Sequence, residues 1–284
     1  MSGSPTVLEG LRRDWPAWAP WLAVVEETMR EAGGGASRWD AMVPEGTAAS
    51  PRTRPRLSGA RLSLDEGAVR GWLERLARVA ARGPAPKMAT LAGALAGNGD
   101  AMALFEASLR QDIGRIDEIA ARRGADPEGL QALGALVAVP FLHACNRRWA
   151  PSASWEWSEP YCAVCGAWPA FAEVLGAERS RQSRCGRCGG AWPSQPLCCA
   201  YCSNTDHDLL LSLVPENARA GGVVEACGQC LGYLKAFTTL QGCAPEAVML
   251  EDLASVDFDV AALEQGYRRP AAPARLLDVT VTAG

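Results

Sequence analysis

Histidine is almost missing from this chain: 284 residues contain two, His143 and His207, 64 positions apart. So far apart in sequence, neither supports a catalytic triad. One is expected to be packed or surface-polar among helices, the other to lie in a loop. The sequence also has no phosphate loop, dinucleotide fingerprint, nucleophile elbow or HExxH helix, so no enzymatic activity is expected. Basic excess is lacking as well. The formal net charge is −4, and residues 161–235 hold six Lys and Arg against six Asp and Glu. Nucleic acid is therefore not the expected partner, because phosphate-binding surfaces carry a positive patch. The longest apolar run, Leu130–Cys145, is shorter than a bilayer requires and contains Pro140. A buried core helix, without membrane insertion, is the expectation. The first residues, MSGSPTVLEGLRRDWPAWAP, lack the pattern of a secretory leader, which points to a cytoplasmic protein.

Cysteine is abundant instead. Of 11 cysteines, nine lie between Cys162 and Cys230, and eight of these form CxxC pairs. In a reducing compartment such pairs serve as metal ligands or redox couples more often than as structural bridges. A CxxC turn aims two thiolates at one cation, and two turns complete a tetrahedral four-thiolate site for zinc or iron. Spacing indicates which turns combine. Nineteen residues separate Cys165 from Cys185 and 24 separate Cys202 from Cys227, whereas only ten separate Cys188 from Cys199. Both opening turns read CA(V/Y)C and both closing turns CG(R/Q)C, the mark of a duplicated ribbon. A crossed pairing of first with third and second with fourth is the competing topology, and the repeat argues against it. The expected metal sites are thus Cys162, Cys165, Cys185 and Cys188, then Cys199, Cys202, Cys227 and Cys230. The spacing does not choose between iron and zinc. A thioredoxin-type dithiol is disfavoured, since none of the pairs opens a helix in a βαβ pattern.

The expected fold class is α+β: an N-terminal all-α helical bundle, two tandem rubredoxin-like or zinc-ribbon modules, and a C-terminal helix. The helical domain covers 1–150, with a Gly-, Pro- and Ser-rich mobile loop at about 33–58. Ser63 and Glu66 fit a capping box at the start of a helix that presents Leu64, Val69, Trp72, Leu73, Leu76 and Val79 on one face. Further helices are expected over 86–97, 99–124 and 127–148. The ribbons occupy 160–196 and 197–240, and an amphipathic helix with an irregular tail fills 241–284. Segments as short as those of the ribbons bury little core. A structural metal, at roughly 10 to 16 kcal/mol of apparent folding free energy in small peptides, is the usual substitute.

The remaining candidates read as structural. Cys198 adjoins a ligand position and is an alternative at CxxxC spacing; Cys145, at the end of the apolar helix, fits a core residue, and Cys243, outside the repeat, has no partner at ligand spacing. Trp168 and Trp192 follow knuckles closely and are expected to cover the metal sites. Arg179, Arg181, Arg184 and Arg187 share one loop and could form a local basic patch.

The four knuckles, followed by CGQCLGYLKAF and EDLASVDFDVAALEQGYRR, resemble the C-terminal region of the FdhE family of formate dehydrogenase accessory proteins over about Tyr161–Arg269. The positions that carry the resemblance beyond the cysteines are Gly232, Tyr233, Leu234 and Lys235, then Asp252–Ser255, Asp259, Gly266 and Tyr267. The resemblance implies a cytoplasmic biogenesis factor that binds the immature catalytic subunit of a molybdenum- or tungsten-dependent formate dehydrogenase. It implies two rubredoxin-like or ribbon-like metal sites on the eight knuckle cysteines, with iron in some members, and no turnover of formate. Homodimerisation is compatible with the sequence. The alternatives are a nucleic-acid-binding zinc-ribbon protein and a rubredoxin-like electron carrier; the helical half is larger than a carrier needs.

Overall fold

The computed structural model describes residues 4–33, 38–45, 53–83, 91, 100–149, 157–215 and 221–284. They divide into two compact units. The first comprises residues 1–49, 56–151 and 276–284, and the second residues 50–55 and 152–275.

The first unit is helical. Its helices are α1 (Ser4–Asp14), α2 (Ala19–Gly33), α3 (Arg38–Met42), α4 (Glu66–Ala81), α5 (Ala101–Arg110), α6 (Ile113–Arg123), α7 (Pro127–Val137) and α8 (Val139–Trp149). Helix α3 falls within the stretch read from sequence as a mobile loop, and most of the helix expected over 86–97 lies outside the described residues. The start of α4 is set by Asp65 and not by Ser63: the Asp65 carboxylate accepts from the Ala68 amide at 3.1 Å. Ser63 belongs instead to a strand, β1 (Arg61–Leu64), paired in parallel with β8 (Thr280–Ala283) from the tail.

The single helix expected over 99–124 is two. Gln111 takes a left-handed φ of 60°, and Asp112 recaps the chain by accepting from the Arg115 amide at 3.0 Å. Asp126 and Pro127 then start α7, a favoured capping pair because the proline lacks the N–H that would go unpaired there. Residues 127–149 are long and apolar enough to span a bilayer by length and composition, but 78% of the apolar window is buried within the fold. The buried rings of this unit include Trp39, Trp72, Phe105 and Phe141, and the Trp72 indole N–H donates to the Val137 carbonyl at 2.9 Å.

The second unit is built on one six-stranded sheet. Strands β2 (Phe171–Leu175), β3 (Ser180–Arg184) and β4 (Ala191–Pro193) come from the first cysteine repeat. Strands β5 (Leu210–Leu213), β6 (Gly222–Cys227) and β7 (Tyr233–Thr239) come from the second, and the order is β4-β3-β2-β7-β6-β5. Pairing within each repeat is antiparallel, whereas β2 and β7 run parallel, with Phe171 opposite Lys235 and Leu175 opposite Thr239. The repeats therefore share a continuous sheet, which the sequence reading of separate ribbons did not include.

One face of the sheet is covered by α9 (Val248–Leu253) and α10 (Val256–Glu264). These replace the single C-terminal helix expected from sequence, the break falling at Ala254–Ser255. The chain of rings Phe171–Phe237–Phe258 meets edge to face, with centroids 5.5 Å apart at each step. Such pairs add specificity to the burial that drives the packing.

Candidate metal centre

All four CxxC turns have the same backbone. In each, the amide four residues after the first cysteine donates to that cysteine's carbonyl: Gly166 to Cys162, Gly189 to Cys185, Ser203 to Cys199 and Leu231 to Cys227, at 2.8–3.0 Å. The first cysteine's amide in turn donates to the carbonyl five residues on, at 2.9 Å in every copy. This closure forces the residue after the second cysteine into the left-handed region, with φ of 69° at Gly166, 72° at Gly189, 58° at Ser203 and 57° at Leu231. Glycine suits it, having no Cβ to clash. At Gly189 there is a second reason, since a Cβ would stand 2.4 Å from the Pro245 carbonyl oxygen.

The turns gather the eight cysteines in two groups, Cys162, Cys165, Cys185 and Cys188 in one and Cys199, Cys202, Cys227 and Cys230 in the other. Within each group all the sulfurs lie within 4.8 Å of one another. Cys162 and Cys188 are 3.5 Å apart, as are Cys165 and Cys185; Cys199 and Cys230 are 3.6 Å apart, and Cys202 and Cys227 3.8 Å. These separations are too long for disulfides. They match a tetrahedral thiolate cage, whose sulfurs, about 2.3 Å from a zinc ion, sit about 3.8 Å from one another. The donor set therefore fits a tetrahedral metal ion, and both clusters could hold one. The Val164 amide faces the Cys162 sulfur at 3.4 Å and the Tyr201 amide faces that of Cys199 at 3.5 Å, the contacts expected around thiolates.

The cages differ in their surroundings. Every cysteine of the first is buried, whereas in the second Cys202 and Cys230 are exposed. In the first, burial pushes the Cys162 thiol well up, and hydrogen bonds from Cys162, Cys185 and Cys188 hold the Cys165 thiol well down. In the second, burial raises Cys199; Cys227, although burial opposes it, is drawn down to about 7 by the backbone amides of Cys230 and Gln229.

The flanking candidates fall into place around them. Trp168 is half-buried, donates from its indole to the Ala272 carbonyl at 3.1 Å and meets Tyr201 edge to face at 5.2 Å, so it links the first knuckle to the third. Trp192 is buried in β4. Cys198 is half-buried beside Cys199. Cys145 is buried in α8, and Cys243 packs against the aromatic core, where burial lifts its thiol to about 12. His143 is buried in α8 and His207 exposed in a 3₁₀ turn. Of the four loop arginines, Arg181 grips Glu225 with two bonds of 2.8 and 2.6 Å, and Arg184 forms a fully enclosed pair with Glu173 at 2.7 Å. Those two are committed to carboxylates.

A cluster that spacing gave no means to locate lies beneath the second cage. Lys235, with no exposed surface, donates to Asp252 and Asp259 carboxylates at 2.7 and 2.8 Å and to the Asp252 carbonyl at 2.7 Å. Arg269 bridges the same carboxylates at 2.7 and 2.8 Å, and the Tyr233 hydroxyl donates to Asp259 at 2.7 Å. Two cations thus face two anions. The Arg268 amide donates to the Leu231 carbonyl at 2.8 Å, and the Tyr201 hydroxyl donates to the Tyr233 carbonyl at 2.8 Å. The network therefore fastens the last knuckle and β7 to the terminal helices. Its members Tyr233, Lys235, Asp252 and Asp259 are among the residues that carry the sequence resemblance; the signal was a lysine inside the apolar strand YLKAF.

Comparison with known proteins agrees with that resemblance. The family model described as FdhE, C-terminal domain matches residues 197–277. A protein FdhE homolog of Aquifex aeolicus (strain VF5) is 30% identical over 115 residues, covering 39% of this chain and 40% of that one. Another, of Stutzerimonas stutzeri (strain A1501), is 35% identical over 115 residues, covering 39% and 36%. The matched region thus spans about two fifths of the length of these curated relatives. The crystal structure of the FdhE protein from Pseudomonas aeruginosa shares the fold, with a TM-score of 0.53 at 22% identity over 96% of this chain and 93% of that one. The family model and the curated relatives thus show the likeness to FdhE over part of the chain, and the solved structure shows the likeness of fold.

Proposed function

We propose that this chain is a non-catalytic accessory protein for formate dehydrogenase biogenesis, which binds the immature catalytic subunit on a scaffold stapled by two four-cysteine metal sites. The observation that carries this reading is the pair of preorganised four-thiol cages built into one sheet. Cys162, Cys165, Cys185 and Cys188 would hold one ion, and Cys199, Cys202, Cys227 and Cys230 the other. A bound zinc supplies a redox-inert cross-link, whereas iron in the same cage also gains and loses one electron, which would make the scaffold redox-responsive. The residues around the cages supply rigidity: the common turn closure, the shared β2–β7 pairing and the charge network fix the surface before a partner arrives. Preorganisation of this kind lowers the ordering cost of binding. The ion pairs of Arg181 and Arg184 favour a protein partner over nucleic acid.

The test is genetic. A host lacking this chain is expected to accumulate formate dehydrogenase polypeptide without activity. The wild-type gene restores activity and the Cys162→Ser/Cys165→Ser variant does not. Full activity in the deletion host overturns the proposal.

A further inference from the structure

The two cages share donors and turn geometry but not access to solvent. The first is closed: all four cysteines are buried, and Tyr161, Val164 and Ala167 beside them are buried too. The second has two faces open. Cys202 and Cys230 are exposed, and next to Cys230 the Leu231 side chain is 55% exposed. On the inner side, a cavity of about 100 Å³ reaches Cys199 and Cys227 between Tyr201, Leu211 and Leu234. The turn chemistry differs in the same sense. The left-handed positions of the closed cage are both glycine, while those of the open cage are Ser203 and Leu231. A Cβ is disfavoured in that backbone conformation, so the open cage is held together against local strain.

We infer that the cages have different roles: the closed cage is a permanent staple, and the open cage exchanges its ion with ligands in solution. This rests on the reading of the eight cysteines as metal ligands. The chemistry is ligand substitution. Cys202 and Cys230 would be the thiolates that an incoming chelator's donors replace on a bound ion, which would then leave as the chelate. The freed thiolates take protons from water, and no electron moves. In the closed cage the same substitution requires the fold to open first. Shielding and outer contacts of this kind typically change metal retention by about 10 to 100-fold, so the open cage should release at least about tenfold faster.

The experiment uses the full chain loaded with zinc and mixed with excess 4-(2-pyridylazo)resorcinol, with release followed by absorbance. Two phases of equal amplitude are expected. Iodoacetamide added after the fast phase should label Cys202 and Cys230, while Cys162, Cys165, Cys185 and Cys188 stay protected on mapping by mass spectrometry. Cys230→Ser should abolish the fast phase and leave the slow one. Release of both ions in one phase, or labelling of the first four cysteines during the fast phase, overturns the inference. A chain that retains no zinc at all overturns the ligand reading beneath it, an outcome distinct from single-phase release.

Discussion

Replacing Lys235 by methionine isolates the contribution of the buried charge network. The side chain has no exposed surface and its ammonium contacts two carboxylates and a backbone carbonyl, all at 2.7–2.8 Å. Methionine keeps most of the volume, so little of the effect arises from a cavity. Losing the cation leaves Arg269 alone against Asp252 and Asp259, with one negative charge uncompensated under the aromatic core. Breaking a buried pair on one side typically costs about 3 to 5 kcal/mol. Lys235→Met should therefore lower the stability of the second unit by that amount, measured by urea unfolding of the metal-loaded chain with unchanged m-value. Adding Asp259→Asn to Lys235→Met restores the charge balance and should recover about 1 kcal/mol or more, a coupling expected of residues in one network. A cost below about 1 kcal/mol for Lys235→Met, the magnitude of a surface pair, would refute the reasoning.

Other outcomes follow from the same geometry. Asp252 has its carboxyl held below the ordinary value, against the burial that would raise it, by Arg269 and then Lys235. Its folded value lies below its unfolded one, so its contribution is complete above about pH 4 and is lost as pH falls through the folded value. Acid unfolding of Asp252→Asn should accordingly be shallower than that of the wild type. Leu231→Gly should stabilise the last knuckle by roughly 1 kcal/mol in thermal unfolding, because glycine accepts the left-handed backbone freely. Gly189→Ala should do the reverse and by more, since its Cβ would collide with the Pro245 carbonyl. Phe258→Ala, which removes the fully buried ring at the end of the aromatic chain, should cost about 3 to 5 kcal/mol. Elemental analysis should find about two ions per chain, the capacity of two four-thiolate cages.

How much of this was legible depended on the range of the information. The grouping of the eight cysteines could be read because spacing and the CA(V/Y)C…CG(R/Q)C repeat are local signals, and the turns that gather them are local structures. Helix breaks at Gln111 and Ala138 could not, because both residue types are ordinary helix formers and the breaks arise from packing; the Ala138 amide, for example, donates to the Ser108 hydroxyl at 3.0 Å. The capping reading chose Ser63 over Asp65 because the partnership of β1 with β8 joins residues more than 200 positions apart. The parallel β2–β7 pairing and the Lys235 network were hidden for the same reason. A lysine in a strand reads as a solvent-facing position until the helices that cover it are placed.

The central claim is that this scaffold serves formate dehydrogenase. It is tested most directly by anaerobic affinity capture of the tagged full chain from its own host, with the co-purified proteins identified by mass spectrometry. Enrichment of a formate dehydrogenase catalytic subunit by the wild type, and its loss from Cys162→Ser/Cys165→Ser, is the predicted result. Capture of nucleic acid or transcription machinery without that subunit would contradict it.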